Sequence, residues 1–313
     1  MLNMEIKNLS IDSHDVPVLL LGYKRPDFLR QRIKELSSMP LRHIYISIDG
    51  GVGSYSPEMR GTLDWAKSVF VNERNLKIIE HRENLGLVHH CTSSISYVLN
   101  HHPYILVVED DIKLSSNFFL NMLAGLSLQK DLKKRGIVGG FSSLNLYKNP
   151  FLTNRWRSSK YISMWGWGCS KEIWHDYQLV IKKEEINEKL AISKTWSKLS
   201  IFQKQVWLGR FNKVATNPNY TYDIQFQFLS FVKDYENFYP ISTLVINEGY
   251  SDLRSTNNTG HKPRWLSTRP PNIEIMGYNF ATPLTRKLLN LIDSNLLFCD
   301  SRAIHLYKHK FKF

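Results

Sequence analysis

Three consecutive acids, Glu109, Asp110 and Asp111, follow directly on four aliphatic residues, Ile105 to Val108. Strands buried on both faces read as continuous apolar runs, and ligand sites in open α/β sheets lie just beyond their carboxyl ends. Alternation along a strand sends Glu109 and Asp111 to one side and Asp110 to the other. Two carboxylates ~4 Å apart at an effective dielectric of ~20 repel by roughly 4 kcal/mol. A divalent cation, an Arg or Lys, or a proton must offset that repulsion. Carboxylate oxygens suit a hard cation, Mn2+ or Mg2+, which would hold diphosphate oxygens from its other side. A solvated acidic turn ahead of a helix starting near Ser115 accounts for the same residues.

Other stretches carry chemistry of compatible kinds. Asp49-Gly50-Gly51 closes a second apolar run, where glycines admit a ligand to the backbone and the carboxylate can take a hydroxyl or amide. A tight turn is the plainer reading of those three residues alone. Trp165 and Trp167 alternate with Gly166 and Gly168, as in a loop or strand with exposed aromatic faces suited to sugars, although core packing explains most tryptophans equally well. Asp223 lies in the first turn of a helical pattern, where it could act as a base or as a helix-terminal cap.

The elements that must position these residues alternate in type. Val16 to Gly22 is a buried strand, and Pro26 opens a helix with Phe28, Leu29, Ile33 and Leu36 inward and Arg30, Arg32, Lys34 and Glu35 outward. Strands follow at His43 to Ile48, Leu76 to Glu80, Tyr104 to Val108 and Ile137 to Phe141. Helices are predicted at Met59 to Val71 and Val88 to Leu99, with a long amphipathic one at Phe118 to Lys134. This order predicts a mostly parallel sheet flanked by helices, an α/β fold. Beyond Asn145 the pattern loosens. Helices are expected at Ser170 to Tyr177, Trp196 to Phe211 and Tyr222 to Lys233, an exposed charged stretch at Lys182 to Lys189, and a strand at Ile241 to Ile246.

With 313 residues, 42% of them hydrophobic, the chain can bury a sizeable core. No apolar run is long enough for a transmembrane helix, and the first 15 residues lack the apolar segment of a signal peptide. Cys91, Cys169 and Cys299 have no metal-ligand spacing and form no disulfide framework, so a reducing cytoplasm is the expected compartment. The net charge of +13 implies anionic partners. Nucleic acid is not expected, because no recognition motif accompanies the charge. Ten Lys or Arg fall between Arg254 and Phe313. There, Leu288, Leu289, Ile292, Leu296 and Leu297 form an apolar stripe ahead of Lys308, Lys310 and Lys312, a pattern that fits an anionic membrane surface on the inner face.

Taken in order, Leu20-Leu-Gly-Tyr-Lys-Arg-Pro26, Ile48-Asp-Gly-Gly51, Asn84-Leu-Gly86, Val107-Val-Glu-Asp-Asp111 and Met164-Trp-Gly-Trp-Gly168 resemble the GT-A glycosyltransferases. The order is similar to the N-acetylglucosaminyltransferase I type and its bacterial relatives that build surface polysaccharides. The resemblance covers roughly residues 16 to 255, and implies a Rossmann-like GT-A domain over 1–260 with a basic helical extension over 261–313. Its nucleotide-binding half would be about 16–145 and its acceptor half about 146–260. It implies that Tyr23, Arg25, Asp49, Arg82 and Asn84 face the nucleotide of a UDP-sugar, with Glu109 and Asp110 also at the donor and Asp110 by the ribose. Asp111 would be the metal ligand. Trp165, Gly166 and Trp167 would form the floor under the sugars, and Asp223, after Tyr222, would be the base. The acceptor would be a glycan or lipid-linked glycan. Asn257 stands where relatives carry a histidine, so His261 is the nearest candidate for a second metal ligand. Two other functions fit such a sheet. A sugar-nucleotide pyrophosphorylase would need more glycines than Gly22 in the first loop, and a non-catalytic glycan- or lipid-binding protein would fit the missing histidine.

Overall fold

The computed structural model describes residues 9–70, 75–142, 155–252 and 254. His261, Asn257, Cys299 and the basic stripe over 284–313 lie outside the described residues.

Four parallel strands make the frame. Val18–Gly22 (β1) pairs in parallel with His43–Gly51 (β2) on one side and Tyr104–Glu109 (β4) on the other, and β2 pairs with Asn75–His81 (β3). Their buried residues alternate between two cores, as a strand's two-residue period requires. Val18, Leu20, Leu106 and Val108 face one side, with Pro26–Ser37 (α1), Pro57–Val69 (α2) and Phe118–Asp131 (α4) packed over them. Leu19, Leu21, Ile105 and Val107 face the other, covered by Leu87–His101 (α3). The result is an α/β fold with helices on both faces of the sheet.

The sheet continues as β3-β2-β1-β4-β8-β6-β9-β7, through Val138–Gly139 (β6), Trp156–Ser159 (β7), Trp167–Ser170 (β8) and Asn237–Pro240 (β9). Antiparallel β8 beside β4 ends the parallel run. Ile112–Leu114 (β5) leaves the main sheet to pair antiparallel with Val245–Asn247 (β10). Lys171–His175 (α5), Ile186–Ala191 (α6), Lys194–Ser197 (α7), Ile201–Thr216 (α8) and Asp223–Val232 (α9) are the remaining α-helices among the described residues. A third core forms where Trp196, Trp207, Phe211 and Phe231 pack together.

Several expectations change here. Helix α4 is not amphipathic: every residue from Phe118 to Gln129 is buried, because α4 is enclosed by core on all sides. Arg32, expected outward, is fully buried, since it lies on the same face of α1 as Leu29, Ile33 and Leu36. Trp167, expected on a loop or strand with exposed aromatic faces, is also fully buried, against Trp174 and Phe226, because β8 lies between β4 and β6 inside the sheet. The charged stretch near 182–189 is a helical turn followed by α6, which buries Ile186 and Leu190. The strand expected over 137–141 shortens to β6, and that over 241–246 to β10.

Candidate functional site

Strand order reverses between β1 and β4, and the crevice beyond the carboxyl ends at such a point is the usual ligand site of an open α/β sheet. Both strands deliver polar residues there. After β1 the chain turns through Tyr23-Lys24-Arg25, with Lys24 at φ 53, a left-handed conformation uncommon outside glycine. Two contacts hold that turn. The Tyr23 backbone N–H donates to Asp110 Oδ2 at 3.1 Å, and Arg25 reaches both aspartates of the acidic triplet. Pro26 then starts α1, its fixed φ suited to the first helical position.

Strand β4 ends at Glu109, and Asp110 and Asp111 form the turn into β5. The alternation expected for the triplet therefore stops one residue early. Glu109 does point to the α3 face, where its Oε1 accepts the Tyr222 hydroxyl at 3.0 Å. Asp111 stays close to Glu109, whose carboxyl it raises, and it also meets Arg25 alongside Asp110. Arg25 Nη2 donates to Asp110 Oδ1, and Nη1 donates to Asp111 Oδ2 at 3.0 Å. Of the three means of offsetting the like charges, the structure uses an arginine. A guanidinium fork matches two carboxylates in a way that a lysine cannot.

Arg25 does not neutralise the whole cluster. Burial is the largest influence on all three acids, and it outweighs the attraction of Arg25. Glu109, also beside Asp111, is pushed up to about 8, and Asp110 to about 7. Asp111 is likewise raised. Its Oδ1 is buried with no hydrogen-bond partner. A buried carboxylate oxygen without a donor is costly, and such exceptions need a physical reason.

A third segment closes the site. The Glu248 N–H donates to the Asp111 carbonyl at 2.8 Å, and Gly249 lies so close that a Cβ there would stand 2.4 Å from Asp111 Oδ2. Buried Arg32 holds Glu248 at 3.3 Å and Glu35 at 2.9 Å, and Glu35 accepts the Leu114 N–H at 3.0 Å. Burial raises Glu35 despite Arg32. Arg254 completes the segment with bonds of 2.7 and 2.9 Å to Asp27. This network was not expected from sequence. Its signal was Arg32, a cation at a helix position that repeats with Leu29, Ile33 and Leu36.

Asp49 accepts the N–H groups of Gly50 and Leu85 through Oδ1, each at 2.8 Å. It therefore ties the loop after β3 to the end of β2. Gly51 permits this, because a Cβ there would stand 2.6 Å from the Arg82 carbonyl oxygen. Asn84 is exposed, 3.5 Å from the Tyr23 hydroxyl, and Arg82 is exposed on the same loop. Trp165 is partly buried against Phe141 and Tyr250. Gly166, at φ 57, passes where a Cβ would meet Val245 at 2.8 Å.

The structure thus brings together Tyr23, Arg25, Asp110 and Asp111, with Asp49 and Asn84 along the same edge, but sends Trp167 into the core. Asp223 is the exposed first residue of α9, next to the Tyr222 that bonds Glu109. Its Oδ1 accepts the Thr221 hydroxyl and the Ile224 N–H, leaving Oδ2 open. Among the described residues, no three His, Cys, Asp or Glu side chains converge to hold a metal ion by themselves. The orphaned Asp111 Oδ1 does fit one hard-cation ligand position, since Mg2+ is commonly held by one or two carboxylates plus substrate phosphates.

Fold and site define an α/β protein with a buried acidic turn at a topological switch point. No protein-family model and no curated protein matches the chain. Among solved structures, it is similar to the mannosyltransferase PcManGT from Pyrobaculum calidifontis in complex with GDP-Man and Mn2+. That likeness has a TM-score of 0.39 and 10% identity, over 54% of this chain and 48% of that one. It is also similar to residues 1–349 of S. aureus TarS, at TM-score 0.35 and 10% identity, over 52% of this chain and 48% of that one. For a second TarS structure the values are 0.36 and 10%, over 52% and 29%. The chain spans about half or less of the length of these structures. No helix among the described residues is long and apolar enough to cross a membrane.

Proposed function

We propose that the chain is a glycosyltransferase that moves a sugar from a nucleotide diphosphate sugar, a UDP-sugar, to a hydroxyl of a glycan or lipid-linked glycan. The observation that carries this reading is Asp111: a buried carboxylate at the switch point, one oxygen on Arg25 and the other without any partner. Asp111 would hold Mn2+ or Mg2+ through that oxygen. Such a cation supplies positive charge against which the nucleoside diphosphate leaves.

The chain's own residues would do the rest. Arg25 orients both aspartates and keeps their charges tolerable in a buried turn. Asp49 fixes the loop that carries Arg82 and Asn84 at the edge where a nucleotide would lie. Asp223 Oδ2 takes the proton of the acceptor hydroxyl as that oxygen attacks the anomeric carbon, a single displacement with inversion. The Tyr222–Glu109 hydrogen bond pins the start of α9, and with it Asp223, to the end of β4.

The test is calorimetry of the full chain with UDP, GDP and their sugar conjugates, with and without Mn2+, on parent and Asp111→Asn protein. The reading expects Mn2+-dependent binding of one nucleotide in the parent, and its loss in the variant with an unchanged melting temperature. Equal Mn2+-dependent affinity in both proteins would make the acidic turn structural.

A further inference from the structure

The ten residues from Ile192 to Ile201 join α6, α7 and α8, and they divide cleanly into inward and outward positions. Ser193, Trp196 and Leu199 are buried. Ser193 Oγ donates to the Phe231 carbonyl at 2.6 Å, and Trp196 packs on Phe211 and Phe231. Between these anchors, Lys194 and Lys198 are exposed, and Ile192 and Ile201 are each 78% exposed. Single exposed apolar residues are ordinary, but these two are the most exposed large hydrophobics among the described residues. They bracket one short basic ridge. Its anchors are already satisfied, so folding does not require isoleucine at either end.

Along the ridge's own stretch of chain the charge has one sign. From Ile192 to Tyr222 the chain carries Lys194, Lys198, Lys204, Arg210 and Lys213, with no Asp or Glu. The carboxylate that faces the ridge from the neighbouring turn is Asp234. It caps α7, accepting the Ser193 hydroxyl at 2.9 Å and the N–H groups of Lys194 and Thr195 at 3.1 and 2.6 Å. Glu185, just ahead of α6, is paired with Lys182 and Lys189, and Glu188 on α6 is exposed.

We propose that this ridge docks on an anionic lipid surface. Ile192 and Ile201 enter the boundary between headgroups and acyl chains, while Lys194 and Lys198 keep their ammonium groups among the lipid phosphates. A nucleic acid or sulfated polysaccharide would meet the cations and leave both isoleucines in water. A bilayer uses both kinds of side chain, and that decides the partner. The inference is independent of the catalytic reading, since the ridge shares no residue with the acidic turn.

The test is sedimentation of the full chain with phosphatidylcholine vesicles, and with vesicles that also contain phosphatidylglycerol. Retention on heparin is measured in parallel. The parent should pellet with the anionic vesicles and not with the neutral ones. The Ile192→Ser/Ile201→Ser variant should lose about ten-fold or more in vesicle partitioning, with melting temperature and heparin retention unchanged. The Lys194→Gln/Lys198→Gln variant should lose on both matrices. Equal partitioning of the isoleucine variant and the parent would overturn the proposal, because charge alone would then hold the vesicles. Failure of the parent to pellet, or a fall in heparin retention that tracks the isoleucine change, would overturn it as well.

Discussion

Asp223 has one carboxylate oxygen engaged and one open, and that division lets two roles be separated. Oδ1 accepts the Thr221 hydroxyl and the Ile224 N–H at the start of α9, a local contact that an asparagine side-chain oxygen can keep. Oδ2 is the oxygen available to a substrate proton, and asparagine offers an N–H2 in its place. Asp223→Asn should therefore hold the melting temperature while turnover falls by roughly two to four orders of magnitude, the usual worth of a general base. Donor affinity should stay at the parent value, since the lost interaction belongs to the transition state. A purely local helix role predicts turnover within a few-fold of the parent. Melting temperature and turnover measured on one preparation distinguish the two. Asp252 makes a weaker base, because Arg254 holds its carboxyl below the usual carboxylate range.

Three chain segments converge on Asp111: the turn after β1, the turn after β4 and the segment after β10. Gly249 is the point of closest approach. Gly249→Ala puts a Cβ 2.4 Å from Asp111 Oδ2, so either the segment or the carboxylate must move. Because the contact lies at the rim of the sheet, the expected result is a large loss of nucleotide affinity with a modest loss of stability. Calorimetry and thermal melting of the same variant check it, and unchanged affinity would show that the segment moves freely. Convergence of this kind also explains what the sequence revealed. β1 and β4 were readable because burial on both faces leaves an unbroken aliphatic run, and Pro26 marked the start of α1 through its backbone restriction. The turn that Asp110 and Asp111 form was not readable, because nothing within Glu-Asp-Asp marks where the strand ends. Trp167 was misplaced because a tryptophan between glycines looks the same in a loop and in a buried strand. Arg25 was expected at the nucleotide; its pairing with both aspartates depends on two turns 85 residues apart meeting in space.

At the scale of the whole molecule, one buried histidine ties stability to pH. His90 on α3 lies beneath the end of β2, with its Nε2 2.9 Å from the Ser47 hydroxyl, and Ser47 also meets Ser94 at 2.8 Å. Burial pushes His90 down to about 4; Asp49 opposes that shift and His81 adds to it. The sign follows from proton counting. Between the unfolded value of about 6.5 and the folded value, the unfolded chain binds a proton at this residue and the folded chain does not. The stabilisation from a neutral His90 is therefore complete above about pH 6.5, and it is lost as pH falls toward 4. At pH 5 the loss amounts to about 2 kcal/mol, at 1.36 kcal/mol per unit of separation. In His90→Gln the amide can still bond Ser47 but cannot titrate. The variant should melt lower than the parent at pH 7, because the packing around α3 is altered, yet its melting temperature should fall less steeply between pH 7 and pH 5. The comparison rests on slopes, which removes any constant cost of the substitution and any acid sensitivity common to both proteins. Parallel slopes would mean that His90 opens to solvent and gains its proton without unfolding the chain.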